Sequence, residues 1–414
     1  MEGPSPASDE AKGRWRILVL LSLAELLGMS LWFTASAIGP DLQLRWGLTP
    51  GELGWLTTTV QLGFVAGTGL AAILNLADIL PSRGYFAGAA ALGAGSNLLL
   101  LWVPGYGWAL LARFFTGFFL AGVYPPAMKM ISTWFRGARG LAIGTVVGAL
   151  TVGKASPYLL KAMPSISLEM VVLAASLAGF LGSLLVLLGY RDGPFLFGRA
   201  PFSWTLVPRV LGHRPTRLAI SGYLGHMWEL YAMWTWVPVF ILANAALLPA
   251  APSGSVDVAE LVAFGAIAAG GLGCVWGGWM ADRMGRERLV NLAMAISGGC
   301  SLVTGLFLGW SFWVVAPLVW VWGFFVVADS AQFSAVVTEV APSEAVGTAL
   351  TLQTSLGFLL TMVTIQGLPV LVHSLGWAGG FPFLALGPAA GIWAMVRLSR
   401  LKRDRLRAVQ SIPS

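Results

Sequence analysis

Twelve long runs of apolar residues, separated by short polar or basic segments, divide this chain. They lie at roughly 15–38, 51–77, 83–103, 106–132, 138–162, 167–190, 215–246, 257–281, 286–309, 311–340, 344–372 and 376–398. Each is long enough to cross a hydrocarbon layer of ~30 Å as a helix rising ~1.5 Å per residue. The runs are continuous rather than alternating, which excludes a closed barrel, and an open sheet cannot span lipid. The expected fold is an all-α membrane protein with twelve transmembrane helices, six on either side of a loop at 191–214.

The two sets of six are related. Residues 25–33, ELLGMSLWF, return 204 positions later as residues 229–237, ELYAMWTWV, with Glu25/Glu229, Leu26/Leu230, Met29/Met233 and Trp32/Trp236 identical. The same offset carries Gly67 onto Gly271, Gly69 onto Gly273, Ala77 onto Ala281 and Asp78 onto Asp282. One offset shared by separated segments is the trace of an internal duplication. Both copies place a carboxylate inside an apolar run, where an ionisable group is costly and usually functional.

Composition sharpens this picture. The chain is 57% hydrophobic and 10% charged, against about 25% charged in soluble domains. Its 52 glycines and 19 tryptophans suit close helix packing and interfacial anchoring. Cys274 and Cys300 both fall in apolar runs, as expected of buried structural thiols. They suggest neither a disulfide framework nor a metal site. The net charge of +7 does not indicate nucleic acid, because the chain has no basic aromatic platform or long basic tract. With both termini placed in the cytoplasm, 20 of the 25 basic residues fall on the inner side, as the positive-inside rule requires.

The expected organisation is a disordered cytoplasmic stretch at 1–14, a six-helix bundle at 15–190 and a cytoplasmic linker at 191–214. A second bundle at 215–398 and a basic tail at 399–414 complete it. In the linker Phe195, Phe197, Phe202 and Trp204 interleave with Arg191, Arg199 and Arg209, a pattern compatible with an interfacial segment or a plain tether. Ala35-Ser36-Ala37 resembles a signal-peptide cleavage site, but the run before it is too long and contains Glu25 and Trp32. The first helix is expected to be retained.

Two motifs carry a family resemblance. Residues 277–288 read GGWMADRMGRER, placing Asp282 beside Arg283, Arg286 and Arg288, where charge-assisted hydrogen bonds can latch helix ends. This resembles the loop signature G-x-x-x-D-R-x-G-R-[KR] of the major facilitator superfamily, with Gly278, Asp282, Arg283, Gly285 and Arg286 in its positions. The first-half copy, NLADILPSRG, keeps Asp78 and Arg83 but has Pro81 and lacks the glycine pattern. The second motif, RFFTG at 113–117, is similar to the family's fourth-helix motif R-x-x-x-G, which places Arg113 in proton coupling. STWFRGARGLAIG at 132–144 is similar to the loop that follows. The resemblance implies two six-helix bundles with alternating access around a midplane site, in a multi-pass protein of the plasma (inner) membrane, acting as a monomer.

Glu25 and Glu229 then fall near the bilayer midplane, on helices that the resemblance sets beside the central cavity. A carboxylate there must face the cavity, pair, or hold a proton. Proton coupling through Glu25, Glu229 and Arg113 stands against a structural ion pair with Arg113 or Lys154. Lys154, sixteen residues into its helix, either holds an anionic solute, neutralises Glu25 or is interfacial. His226, one turn before Glu229, together with Tyr223 and Trp236 forms a polar aromatic wall or a plain hydrogen-bonded histidine. Trp32, Asp329 and Gln332 are further solute-binding candidates. So is Tyr124, which precedes Pro125-Pro126 at an expected helix break.

The resulting reading is a proton-coupled secondary transporter of a small solute. Arg113 and Lys154 incline it toward a small anion, whereas aromatic walls with acidic groups suit efflux of lipophilic cations. A non-transporting receptor on the same scaffold is a third reading. An enzyme is not expected, since no nucleophile–base set or phosphate-cradling loop is present, and no cofactor is implied. The expected partners are the solute, protons and the lipid bilayer.

Overall fold

The computed structural model describes residues 13–136, 138–195, 202–249 and 257–410. These residues form helices and no strands. The first set comprises α1 (Arg14–Met29), α2 (Thr34–Ala37), α3 (Gly39–Trp46), α4 (Pro50–Ile73), α5 (Leu76–Ile79) and α6 (Ser82–Leu98). It continues with α7 (Tyr106–Leu120), α8 (Tyr124–Ser132), α9 (Arg139–Lys161) and α10 (Leu168–Gly189). After the linker helix α11 (Val207–Gly212) come α12 (Arg214–Ala245), α13 (Val258–Met284), α14 (Arg286–Val303) and α15 (Phe312–Ala328). The chain then ends with α16 (Ser330–Val340), α17 (Val346–Gly380) and α18 (Leu386–Gln410).

Local chemistry sets several starts. Thr49 and Glu52 form a reciprocal capping box at α4, with Pro50 in the first turn, which satisfies amide donors that the helix leaves open. Ser167 caps α10 and Asp257 caps α13. Gly285, at φ 87°, separates α13 from α14; that left-handed turn favours glycine.

Among the described residues, nine helical stretches are long and apolar enough to cross a membrane. One of them, Ser343–Asp404, is 62 residues long, more than a single ~30 Å crossing requires, and it bends at Gly376 with φ 67°. The basic segment from Arg397 onward continues α18 to Gln410 rather than forming a separate coil.

Glycine packing makes the duplication visible. A Cβ on Gly67 would strike the Phe118 carbonyl, and one on Gly273 would strike that of Phe324. Gly117 meets the Val60 carbonyl in the same manner as Gly323 meets that of Ala266. Both correspondences run at an offset of 206. The pairing of Gly67 with Gly271 and Gly69 with Gly273, expected from the 204 offset, is therefore corrected in this helix pair. Identity alone misaligned it because glycines are frequent in α13, whereas backbone contact selects the register.

The halves meet along two seams. At one, α9 crosses α13 so closely that a Cβ on Gly148 would lie 2.7 Å from the Gly271 carbonyl oxygen, the small-residue packing typical of membrane helices. At the other, α4 faces α17: the Thr361 hydroxyl donates to Gln61 Oε1, and Gln366 Nε2 donates to Thr58 Oγ1 at 2.9 Å. In the linker, Ser203 N–H donates to Thr348 Oγ1 at 3.0 Å and Arg209 pairs with Glu344 at 2.6 Å. Phe197 and Arg199 lie outside the described residues.

Candidate functional site

The two copies of ELxxMxxW fold differently after their shared methionine. In the first, α1 ends at Met29 and helical structure resumes only at Thr34. In the second, α12 continues through Trp236 to Ala245. Breaking α1 frees carbonyl oxygens inside the bundle, and buried backbone groups need partners. Arg113, fully buried on α7, supplies them. Its guanidinium donates to the Leu31 carbonyl at 3.0 Å, to the Trp32 carbonyl, and to Asn97 Oδ1 at 2.8 Å. Asn97 Nδ2 in turn donates to Ser176 Oγ at 3.0 Å.

Arg113 therefore does not pair with Glu25, contrary to the sequence expectation. Both of its terminal nitrogens are engaged by the broken backbone of the first span and by Asn97, while Nε has no acceptor among the described residues. Its second-half counterpart at the offset of 206 is Val319. This is consistent with the repeat: α12 continues as a helix beyond Met233, and only Pro238 removes an intrahelical hydrogen bond there.

The break turns Trp32 into the centre of the bundle, where rings from both halves converge. Trp32 lies 5.7 Å from Tyr231 and 5.9 Å from Phe358 between centroids, while Phe64 lies 4.7 Å from Phe358. Lys154 projects from α9 into this cluster. Its ammonium sits 4.1 Å from the Trp32 centroid, 4.8 Å from Tyr231 and 4.9 Å from Trp234, and donates to the Tyr231 hydroxyl at 2.6 Å. A cation over ring faces in a dry site is held by the ring quadrupoles. Trp32 and Lys154 are both buried, so Lys154 is not interfacial.

Glu25 is 0% exposed, and neither of its carboxyl oxygens has a hydrogen-bond partner. Lys154 and Tyr124 lie within electrostatic range of it. Glu229 is equally buried but fully engaged: Ser297 Oγ donates to Oε2 and Trp322 Nε1 donates to Oε1, each at 2.7 Å. The pseudo-symmetric carboxylates thus differ in one physical respect, since one is satisfied by neutral donors and the other has none, with an ammonium group only within electrostatic range.

The remaining candidates separate into three places. His226 lies with Nδ1 2.9 Å from Asp329 Oδ1 and Nε2 3.0 Å from Ser330 Oγ, and Tyr223 packs at 6.0 Å from its ring. Asp329 occupies a break between α15 and α16 that matches the break before Tyr124 at the offset of 206. Trp236 turns away from the central cluster, donating to the Ile365 carbonyl at 2.9 Å. Gln332 accepts from Arg286 Nη1 at 2.9 Å and so belongs to the loop network rather than to a solute wall.

In that network Arg286 Nε donates to Glu339 at 2.7 Å, while Lys402 bridges Glu287 at 2.6 Å and Glu339 at 3.4 Å. Arg283 stacks 3.4 Å over Trp279. Asp282 and Arg83 are exposed, and Asp282 has no ion pair among the described residues, so the expected latch through it is carried by Arg286 instead. Gly278 faces the Gly140 carbonyl across the α9–α13 seam. The Asp78 side chain lies outside the described residues. Both cysteines are buried and free.

Sequence reasoning passed over Tyr231, Trp234, Phe358, Asn97, Ser297 and Trp322. Tyr231 and Trp234 stand inside the repeated segment itself, at positions where the two copies differ, and that difference was the available signal.

Residues 20–365 match the Major Facilitator Superfamily. The chain belongs to that superfamily. It is 33% identical over 162 residues to the puromycin resistance protein pur8 of Streptomyces alboniger, a match covering 38% of this chain and 30% of that relative. Its fold is similar to that of a bacterial homologue of the human lysosomal transporter Spinster, in the inward-facing, unoccupied conformation. The TM-score there is 0.65 at 18% identity, covering 96% of this chain and 95% of that one. The same homologue, inward-facing and occupied, matches with a TM-score of 0.64 at 16% identity over 94% of each chain. The chain is thus a multi-pass membrane protein of a transporter superfamily.

Proposed function

We propose that this chain is a proton-coupled secondary transporter that exports a small hydrophobic solute by alternating access. The reading includes twelve spans, both termini in the cytoplasm, residence in the plasma (inner) membrane and action as a monomer. The observation that carries it is the orphaned Glu25 carboxyl within electrostatic range of the Lys154 ammonium, which is hydrogen-bonded across the seam between halves. When Glu25 holds a proton, Lys154 has no anionic competitor and remains among Trp32, Tyr231 and Trp234. When Glu25 loses the proton, its charge draws Lys154 back to the first half and frees the aromatic rings for solute. The proton thus biases two arrangements by differential interaction, which is what coupling requires.

The aromatic walls favour a lipophilic, and specifically cationic, solute over the small anion suggested by counting basic residues. Arg113 is occupied by backbone carbonyls, and Lys154 already marks the rings as a cation site. The relative named for puromycin resistance supports export. The Lys154 ammonium also favours a second reading, an anion bound when Glu25 is protonated.

Proteoliposomes under an imposed pH gradient discriminate these. Lipophilic cations are expected to accumulate against the gradient and small anions are not, and Glu25→Gln is expected to abolish accumulation. Unchanged accumulation in both Glu25→Gln and Glu229→Gln sinks the coupling assignment.

A further inference from the structure

A second polar feature lies away from the central cluster, between the halves and toward the start of α13. A cavity of about 360 Å³ opens there, bounded by α2, α3, the first turns of α4 and α13, and the ends of α9 and α12. That volume falls among small-molecule sites, which span about 300–1,000 Å³. Its walls are mainly apolar, including Leu53, Trp236, Val239 and Leu242, and its one carboxylate is Glu260.

Glu260 stands three residues beyond the cap of α13, where a glutamate ordinarily returns a hydrogen bond to the capping residue's amide. Glu52 does this at α4, accepting from Thr49 N–H at 2.8 Å. At α13 that amide is already taken: Asp257 N–H donates to the Ala162 carbonyl at 3.0 Å, across the seam from α9. The Glu260 carboxylate accepts no hydrogen bond among the described residues, although the residue is only 4% exposed. Of the neighbouring charges, Asp257 and Asp41 oppose it and Lys161 favours it. Lys161, the nearby cation, is paired with Asp41 at 2.5 Å, and Asp257 Oδ1 is engaged with the amides of Ala259 and Glu260. A buried carboxylate without a partner is a costly arrangement for capping alone.

We propose that this cavity is a binding site for a bulky hydrophobic cation, with the Glu260 carboxylate as counter-charge and Trp236 as aromatic wall. The ligand's charge supplies what Lys161 cannot, and its apolar surface covers Leu53, Val239 and Leu242. The site is separate from the central rings that hold Lys154. It goes beyond the transport reading, and an equilibrium binding measurement fails or succeeds independently of proton-driven flux.

The test uses full-length protein in nanodiscs, radiolabelled tetraphenylphosphonium, and tetraphenylborate as a probe of the same shape and opposite charge. Saturable binding of the cation is expected, with affinity at least tenfold weaker in Glu260→Gln and retained in Glu260→Asp. Tetraphenylborate should bind at least tenfold more weakly than the cation. Ala243→Phe, which fills the cavity without touching the carboxylate, should also weaken cation binding, so the assignment does not depend on one variant folding. Wild-type affinity in folded Glu260→Gln, equal binding of the two probes, or no cation binding by the wild type would each overturn it.

Discussion

The Lys154 ammonium donates to the Tyr231 hydroxyl at 2.6 Å, tying a helix of the first half to a helix of the second at the centre of the bundle. Tyr231→Phe keeps the ring and removes the acceptor, a loss of about 2 kcal/mol for a hydrogen bond to a charged group. Solute flux driven by a pH gradient is expected to fall about tenfold or more. Lys154→Met should abolish the gradient dependence altogether. Flux measured with and without the gradient checks both, and gradient-driven flux intact in Lys154→Met would exclude this contact from coupling.

Glu25 and Glu229 are predicted to separate by stability. Glu229→Leu strands the Trp322 indole N–H and leaves the Ser297 hydroxyl only the Met294 carbonyl at 3.4 Å, at about 1–3 kcal/mol for a stranded group. Glu25→Leu removes a carboxyl that no donor satisfies and should leave the melting temperature unchanged or higher. Thermal unfolding of the two purified variants in one detergent decides this. Equal destabilisation would contradict the asymmetry.

Arg113 is predicted to be a positioning residue for the break in α1. Arg113→Lys cannot reach Leu31, Trp32 and Asn97 together through a single ammonium. The folded yield of monodisperse protein should drop sharply, and the melting temperature should fall by an amount corresponding to about 2 kcal/mol or more. A variant that is fully stable yet uncoupled would instead return Arg113 to the proton path.

The α9–α13 seam is predicted to tolerate no side chain at Gly148. Gly148→Val should sharply reduce both transport and thermal stability, because the Gly271 carbonyl oxygen lies 2.7 Å from where Cβ would go. Gly69→Val is the matched control, since nothing lies within 4 Å of its Cβ position. Equivalent transport by the two variants would show that the seam is slack.

Much of the architecture was legible in the chain before any tertiary contact was known. Runs of twenty or more apolar residues leave a helix as the only span that satisfies its own backbone in lipid, so helix placement followed from composition and length. The repeated Glu-Leu-x-x-Met-x-x-Trp announced the duplication, and the loop and fourth-span motifs announced the superfamily. Each is a property of neighbouring residues and survives without knowledge of what packs against them.

Partnerships were not legible. Arg113 and Glu25 shared a depth and opposite charge, yet the structure gives the arginine to carbonyls released by a helix break that no local residue pattern had signalled. Tyr231 and Trp234, not singled out by the sequence reading, became the cage for Lys154 because α12 runs on where α1 stops. Glu260 carried no signal in the sequence, and its lack of a partner emerges only because the Ala162 carbonyl takes the Asp257 amide. The sequence by itself determined which segments span and which residues are costly to bury. Only the tertiary structure decided who satisfies them, since hydrogen bonds and cation–ring contacts depend on separations of a few ångströms between residues tens to hundreds of positions apart.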